Sequence, residues 1–307
     1  NGHTIRGLSI AANDGDYVGL VAVNEGTIRD LKLEDANVRG SRLVGTVAGE
    51  NSGTIHNVSV TGTVTGDQLV GGLVGQNGQY NYFAEQPVPP NQHAPIVRSS
   101  ATVDVTADSI SGGLAGLNTG TINTSVASGS VRVTPGEAGS LIEHGGLVGR
   151  NTHGGLVTSS FATGNVTGRD AVGGLVGSNH AGATITNTFA SGHLYGNTQV
   201  GGLVGTSTNS TVSQSFAVGT IDHAVSPSNA GGIVGNRTGG TVSHSYWDAT
   251  QTQNALPSAK DSPAGLKTAQ MTGDNSTQHM SGLNFETVWT TTDGYPMLRW
   301  LTDSSHD

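Results

Sequence analysis

Val172 to Asn179, VGGLVGSN, decides the fold, because versions of it return along most of the chain. Close copies are Val70 to Asn77 (VGGLVGQN), Ser111 to Asn118 (SGGLAGLN), His144 to Asn151 (HGGLVGRN), Val200 to Ser207 (VGGLVGTS) and Ala230 to Arg237 (AGGIVGNR). Looser copies are Tyr17 to Asn24 (YVGLVAVN) and Val44 to Asn51 (VGTVAGEN). The copies end at positions 24, 51, 77, 118, 151, 179, 207 and 237, so the unit is 26 to 28 residues, lengthened by insertions at two steps. A fixed period in this range marks a solenoid, whose single unit cannot bury its own apolar face and must stack on its neighbours.

Within a unit, the glycine-rich apolar strand leads through a polar turn to a strand such as Thr184 to Phe189 (TITNTF). Ala190, Ser191 and Gly192 follow, and then a short strand at His193 to Tyr195. Short runs rich in Val, Ile and Thr between Gly, Asn and Ser, with no 3.6-residue period, read as β throughout. Coils stacked about 4.8 Å apart pair like strands in parallel. The sequence therefore predicts an all-β chain: a single parallel β-helix of about 8–10 coils over 1–248, with a C-terminal extension and cap over 249–307. The paired glycines are expected to take turn dihedrals and to let backbones approach closely. The Asn at 24, 51, 77, 118, 151 and 179 is expected to form a stacked amide ladder.

Composition agrees with an ordered, elongated body. Of 307 residues 48 are Gly, aromatics are 5% and charged residues only 11%, with a net charge of −9. Lys and Arg are scattered, so no basic stripe is available for a phosphate backbone and nucleic acid is not an expected partner. There is no Cys, which removes disulfides, thiolate metal sites and a cysteine nucleophile. No apolar run reaches the length of a membrane span. The chain opens without Met or a signal peptide, and its first strand, Asn1 to Ile10, would expose a sheet edge. More chain or a cap is expected ahead of it, and the fragment is expected to be monomeric.

The insertion at 78–95 carries Tyr80, Tyr82, Phe83 and four prolines, and must loop out. A smaller insertion lies at 134–143. Ala249 to Ser281 is polar and irregular apart from a short helix expected at Pro263 to Met271. Leu283 to Leu301 gathers Phe285, Trp289, Tyr295 and Trp300, the material expected to bury against the last coil and cap that end.

Gly-Gly-Leu-Val-Gly followed by Asn, then Ile/Val-x-x-Ser/Thr-Phe-Ala-x-Gly as in Ile185 to Gly192, resembles the bacterial GLUG repeat. Tyr246-Trp247-Asp248 and Thr287 to Trp300 are similar to the usual ending of such arrays. The resemblance implies a secreted or surface-anchored protein of the kind that includes filamentous-haemagglutinin-like adhesins and IgA1-cleaving proteases. It implies display or adhesion toward a host or bacterial surface glycan or protein. It names no ligand.

Signs of chemistry are few. None of the 11 His is followed by Glu, which rules out the helical zinc-protease motif. There is no Gly-x-Ser-x-Gly elbow, no phosphate loop and no calcium-binding glycine-aspartate nonapeptide. Parallel β-helices also carry polysaccharide lyases and hydrolases, by fold analogy alone. Such chemistry needs carboxylates, or a carboxylate with a base, in facing positions. On the repeat alignment Asp170, Asp222 and Asp248 fall in different columns, as do His193, His223 and His244. No catalytic residue is assigned. His153 and His180 follow the Asn of adjacent coils and lack a third metal ligand. Asp14/Asp16, Asp30/Glu34/Asp35 and Asp104/Asp108 offer oxygens to calcium without a motif, so no cofactor or metal is expected.

The two contact candidates are aromatic. Tyr80, Tyr82 and Phe83 sit on an insertion that the scaffold does not need. Phe161, Phe189, Phe216 and Tyr246, spaced by 28, 27 and 30 residues, fall in the outward column of Lys32 and Ser59. They would form an exposed ladder unless the later coils flip locally and turn them into the core, which is the reading adopted. The expected function is a non-enzymatic adhesive or structural segment. A carbohydrate-active β-helix enzyme and a passive stalk are the alternatives.

Overall fold

The computed structural model describes residues 2–80, 94–134, 142–223, 230–252 and 265–302. They form a parallel β-solenoid with three sheets running its length. One has 20 strands and two have eight each, every pair between neighbouring coils being parallel. One coil serves for all. Strand Ala171–Gly173 lies in the first eight-stranded sheet and turns at Gly174 and Leu175 into Val176–His180 of the second. Thr184–Thr186, Phe189–Ala190 and Leu194–Gly196 then contribute three short strands to the large sheet. Val172, Leu175, Val176, Ile185, Ala190 and Leu194 point inward and are fully or almost fully buried.

Close approach explains the repeated glycines. A Cβ on Gly177 would lie 2.7 Å from the backbone nitrogen of His144 one coil earlier, because the two eight-stranded sheets pack backbone against backbone. A Cβ on Gly174 would collide with the carbonyl oxygen of Gly202 and come within 2.9 Å of Ala190 Cβ. The same pairing matches Gly113 with Ala127, Gly146 with Ala162 and Gly202 with Ala217. Turn dihedrals, expected of these glycines, are not their reason, since none of the paired glycines has positive φ.

The positive φ sits instead on a column of non-glycine residues. Asp30, Asn57, Arg98, Thr124, Ser159, Asn187, Gln214 and His244 have φ between 46° and 54°. Each kinks the large sheet and adds one residue to the in-out alternation. Where Ser follows, its hydroxyl closes the kink. Ser125, Ser160 and Ser215 donate to the carbonyl two residues earlier at 2.9, 2.7 and 2.6 Å and accept a backbone N–H from the neighbouring coil.

The asparagine column forms the expected ladder. Nδ2 of Asn24, Asn51, Asn77, Asn118 and Asn151 donates to Oδ1 of the next Asn at 2.7 to 2.9 Å. It ends at Asn179, beyond which the column holds Ser207.

Two expectations about the C-terminal half are corrected. Phe161, Phe189, Phe216 and Tyr246 pair in register with the column of Lys32, Ser59, Ser100 and Val126. They face outward and no local flip occurs, because the kink shifts every coil by the same single residue. The C-terminal segment, in turn, lies along the side of the solenoid over these four aromatics rather than only across its end. Its two helices, Thr268–Met271 and Asn275–His279, and the antiparallel pair Trp289–Thr290 with Met297–Leu298 bring Met271, Met280, Leu283, Trp289 and Leu298 onto the aromatic column. The end of the core is closed by Trp247. It occupies the position of Ala217 one coil on and lays its ring over Gly232, with Gly265 against the ring.

Candidate functional site

The outward aromatic column and the segment over it form a second apolar cluster outside the solenoid core. Phe161 stacks on Phe189 at 4.6 Å and 5°, and Phe189 on Phe216 at 5.2 Å and 7°. Trp289 packs on Phe216 at 5.2 Å, and Tyr246 Oη accepts the Gly282 N–H at 2.8 Å. Asp248 fixes the start of the segment. Fully buried, its carboxylate accepts from Tyr295 Oη and Thr268 Oγ1 at 2.6 Å each and from the backbone N–H of Thr250 and Gln251 at 2.7 and 3.2 Å. Burial alone would raise its pKa, but these donors outweigh burial and hold it below the ordinary carboxylate value. Burial, followed by the hydrogen bond to Asp248, pushes the Tyr295 phenol up to about 12.

The cover ends at Trp300, whose Nε1 donates to the Ser159 carbonyl at 2.9 Å. Beyond it, among the described residues, the column is open. A groove of about 480 Å³ continues from the indole past Val126 and Ser100, flanked by His56, Asn57, Arg98 and Thr124 of the kink side. Its volume falls within the range of small-ligand sites, roughly 300–1,000 Å³.

The other singled-out residues fare differently. Tyr82 and Phe83 lie outside the described residues, as do most of 78–95 and of the insertion at 134–143. Tyr80 packs on an apolar cluster of Leu43, Leu69, Ile110 and Leu117, with its ring 4.6 Å from that of His153. His153 and His180 both turn Nδ1 toward Thr152 Oγ1, at 2.8 and 3.2 Å. Burial first, then nearby Arg150, lowers both imidazoles, His180 to about 4. Among the described residues no group of three or more His, Asp or Glu is placed to hold a metal. The acidic groupings are engaged locally: Asp16 with Arg42, Asp30 with Asn57 Nδ2 at 2.7 Å, Glu34 with Arg6 at 2.6 Å and Asp104 with the Ser130 N–H at 2.9 Å. His193 Nε2 and Asp222 Oδ2 lie 3.4 Å apart on an exposed face.

Sequence reasoning missed His144. It occupies the inward column between Ser111 and Val172, fully buried, with Nδ1 2.7 Å from Ser111 Oγ and Nε2 without a partner among the described residues. Two adjoining polar residues, Ser111 and His144, in a column otherwise Val or Ala were the available signal. Burial, with a smaller contribution from Arg169, pushes its pKa down to about 4. The unfolded chain takes up that proton near the ordinary value, so the associated stability is whole above about pH 6.5 and is lost as pH falls toward 4. The loss amounts to about 3 kcal/mol. Replacing both partners, Ser111→Val with His144→Val, should leave stability at neutral pH similar or higher and remove this acid-sensitive component. Urea midpoints for both proteins between pH 7 and 4 measure the difference.

Comparison with known proteins fits this architecture. The GLUG motif matches residues 168–195 and 196–222, the consecutive coils that carry Phe189 and Phe216. The chain is thus a parallel β-solenoid, two of whose coils match the GLUG motif. It is similar to halomucin of Haloquadratum walsbyi (strain DSM 16790 / HBSQ001), with 46% identity over 87 residues. That match covers 28% of this chain and 1% of halomucin.

Proposed function

We propose that the chain is a non-enzymatic, rigid display segment of a secreted or surface-anchored protein, and that it serves adhesion. The observation that carries this reading is the coil-to-coil locking. An unbroken buried amide ladder runs over six coils, and glycine contacts exclude side chains between the sheets. Together they hold insertions and side grooves at fixed places along a rod. GLUG repeats and the likeness to halomucin support a surface setting, and the partner is a surface glycan or protein. The segment works without a cofactor.

Binding of the purified chain to glycan and matrix-protein arrays tests adhesion against a passive stalk. Release of reducing ends from a panel of polysaccharides would establish the enzyme alternative instead. The insertion at 78–95 is one contact candidate. Tyr82→Ala with Phe83→Ala should abolish array binding with little change in melting temperature. Tyr80→Ala should also destabilise the fold, because that ring covers the Leu43, Leu69, Ile110 and Leu117 cluster. Unchanged array binding by the Tyr82, Phe83 double variant removes the loop from the contact surface.

A further inference from the structure

We propose that the groove beyond Trp300 binds a carboxylated saccharide, with a pyranose face on the indole and the carboxylate on Arg98. Trp300 is partly exposed, and its ring is held in place by the Nε1 bond to Ser159. A fixed, flat apolar surface with a wet rim suits the C–H face of a sugar ring. Val126 continues that surface one coil farther along the same column.

The rim is polar and set by backbone geometry. Asn57, Arg98 and Thr124 are consecutive members of the kinked column, with φ of 53°, 51° and 52°, so their side chains leave the sheet at one angle from three adjoining coils. That spans about 10 Å. Asn57 Nδ2 is engaged by Asp30 and the Thr124 hydroxyl donates to Asn123 Oδ1. Both therefore turn acceptor capacity toward the groove, which matches a ligand rich in hydroxyl donors.

Charge selects an acid among sugars. The chain carries a net −9, yet among the described residues no Asp or Glu lines this groove, which has Arg98 and His56 on its walls. Among the described residues Arg98 has no carboxylate partner, and its side chain is exposed. A guanidinium fork beside a flat ring reads a carboxylate in two hydrogen bonds. On an otherwise anionic molecule it forms a local well for a negative group. The site deepens the adhesive reading, on which its biological role rests.

Intrinsic fluorescence tests it, because Trp247 and Trp289 are buried, at 5% and 0% exposure, which leaves Trp300 as the accessible reporter. The full chain is titrated with a digalacturonate, with its neutral methyl ester and with a sulfated neutral disaccharide. The acid should give a saturable change, and the ester should bind at least about tenfold more weakly. Arg98→Gln should bring the acid down to the level of the ester with an unchanged melting temperature, since Gln214 already occupies this column at φ 48°. Equal binding of acid and ester, or an Arg98→Gln variant that binds the acid as before, overturns the proposal. So does tighter binding of the sulfated sugar. Array binding that persists in Arg98→Gln while the titrations fail leaves adhesion standing and removes this site. Saturable titration by a chain that binds no array does the reverse.

Discussion

Phe216→Ala should cost about 3–5 kcal/mol and free the C-terminal segment from the side of the solenoid. Phe216 is fully buried although it faces away from the solenoid core. It is held between Phe189 at 5.2 Å, Trp289 at 5.2 Å and Tyr295 at 6.5 Å. Truncation opens a cavity at the centre of the second core, where neighbouring coils cannot move inward because their strands are locked in register. Stacked repeats unfold by parts, so the effect should be local. Urea unfolding followed by near-ultraviolet circular dichroism should show an early loss of the Trp289 signal, and limited proteolysis should cut within 265–302. Phe161→Ala, at the partly exposed end of the ladder beside Trp300 at 6.0 Å, should cost clearly less. Equal costs at both positions, or a segment that stays protected in Phe216→Ala, would show that the column does not anchor it.

The repeat, the parallel stacking, the asparagine ladder and the outward register of the phenylalanines were all legible in the sequence, for one physical reason. A solenoid copies each residue's environment to the next coil, so a column read at Lys32 and Ser59 still holds at Phe189. The error was to doubt that rule and turn the phenylalanines inward for want of large core residues. The structure needs few, because Ala190 and its column mates meet glycine, and the sheets approach until small side chains fill the interior. A better signal was available. Four outward aromatics and a tail holding Phe285, Trp289, Tyr295 and Trp300 are two unpartnered apolar sets in one chain, and each is the natural cover for the other.

The kinked column was harder to see. Its members are Asp, Asn, Arg, Thr, Ser, Gln and His, and only the Asn, Asp and His among them carry a propensity for positive φ. The kink recurs at Asp30 and Asn57, where Leu31 and Val58 follow in place of Ser, so what imposes it is the pairing with neighbouring coils, which is tertiary. The Trp300 groove was invisible for a related reason. It joins Asn57, Arg98 and Thr124 to a residue more than 170 positions away, and no repeat alignment relates the solenoid to its own covering segment.

Asn118→Ala should be the most damaging single change in the ladder, at about 3–5 kcal/mol. Asn118 is fully buried, accepts from Asn77 Nδ2 at 2.8 Å and donates to Asn151 Oδ1 at 2.8 Å and to the Gly120 carbonyl at 3.2 Å. Alanine removes all three bonds and leaves polar atoms buried on both sides of the gap. Each such atom costs about 1–3 kcal/mol unless it finds another partner. Asn77 Nδ2 retains its bond to the Ala94 carbonyl at 2.9 Å and the Gly120 carbonyl still accepts the Leu156 N–H at 2.9 Å, so Asn151 Oδ1 is the atom left without its donor, which keeps the loss at the lower multiple. Asn118→Asp should be as harmful, because a carboxylate cannot donate upward and would be buried without a cation. Asn24→Ala, at the first rung with a single neighbour in the ladder, should cost about half as much. A double-mutant cycle gives the sharper reading. Asn118→Ala with Asn151→Ala should cost less than the sum of the two single changes, since the second removes an amide that the first has already orphaned. Strict additivity in urea midpoints would mean that the amides act one by one on their own turns, and that the ladder is only a row of local caps.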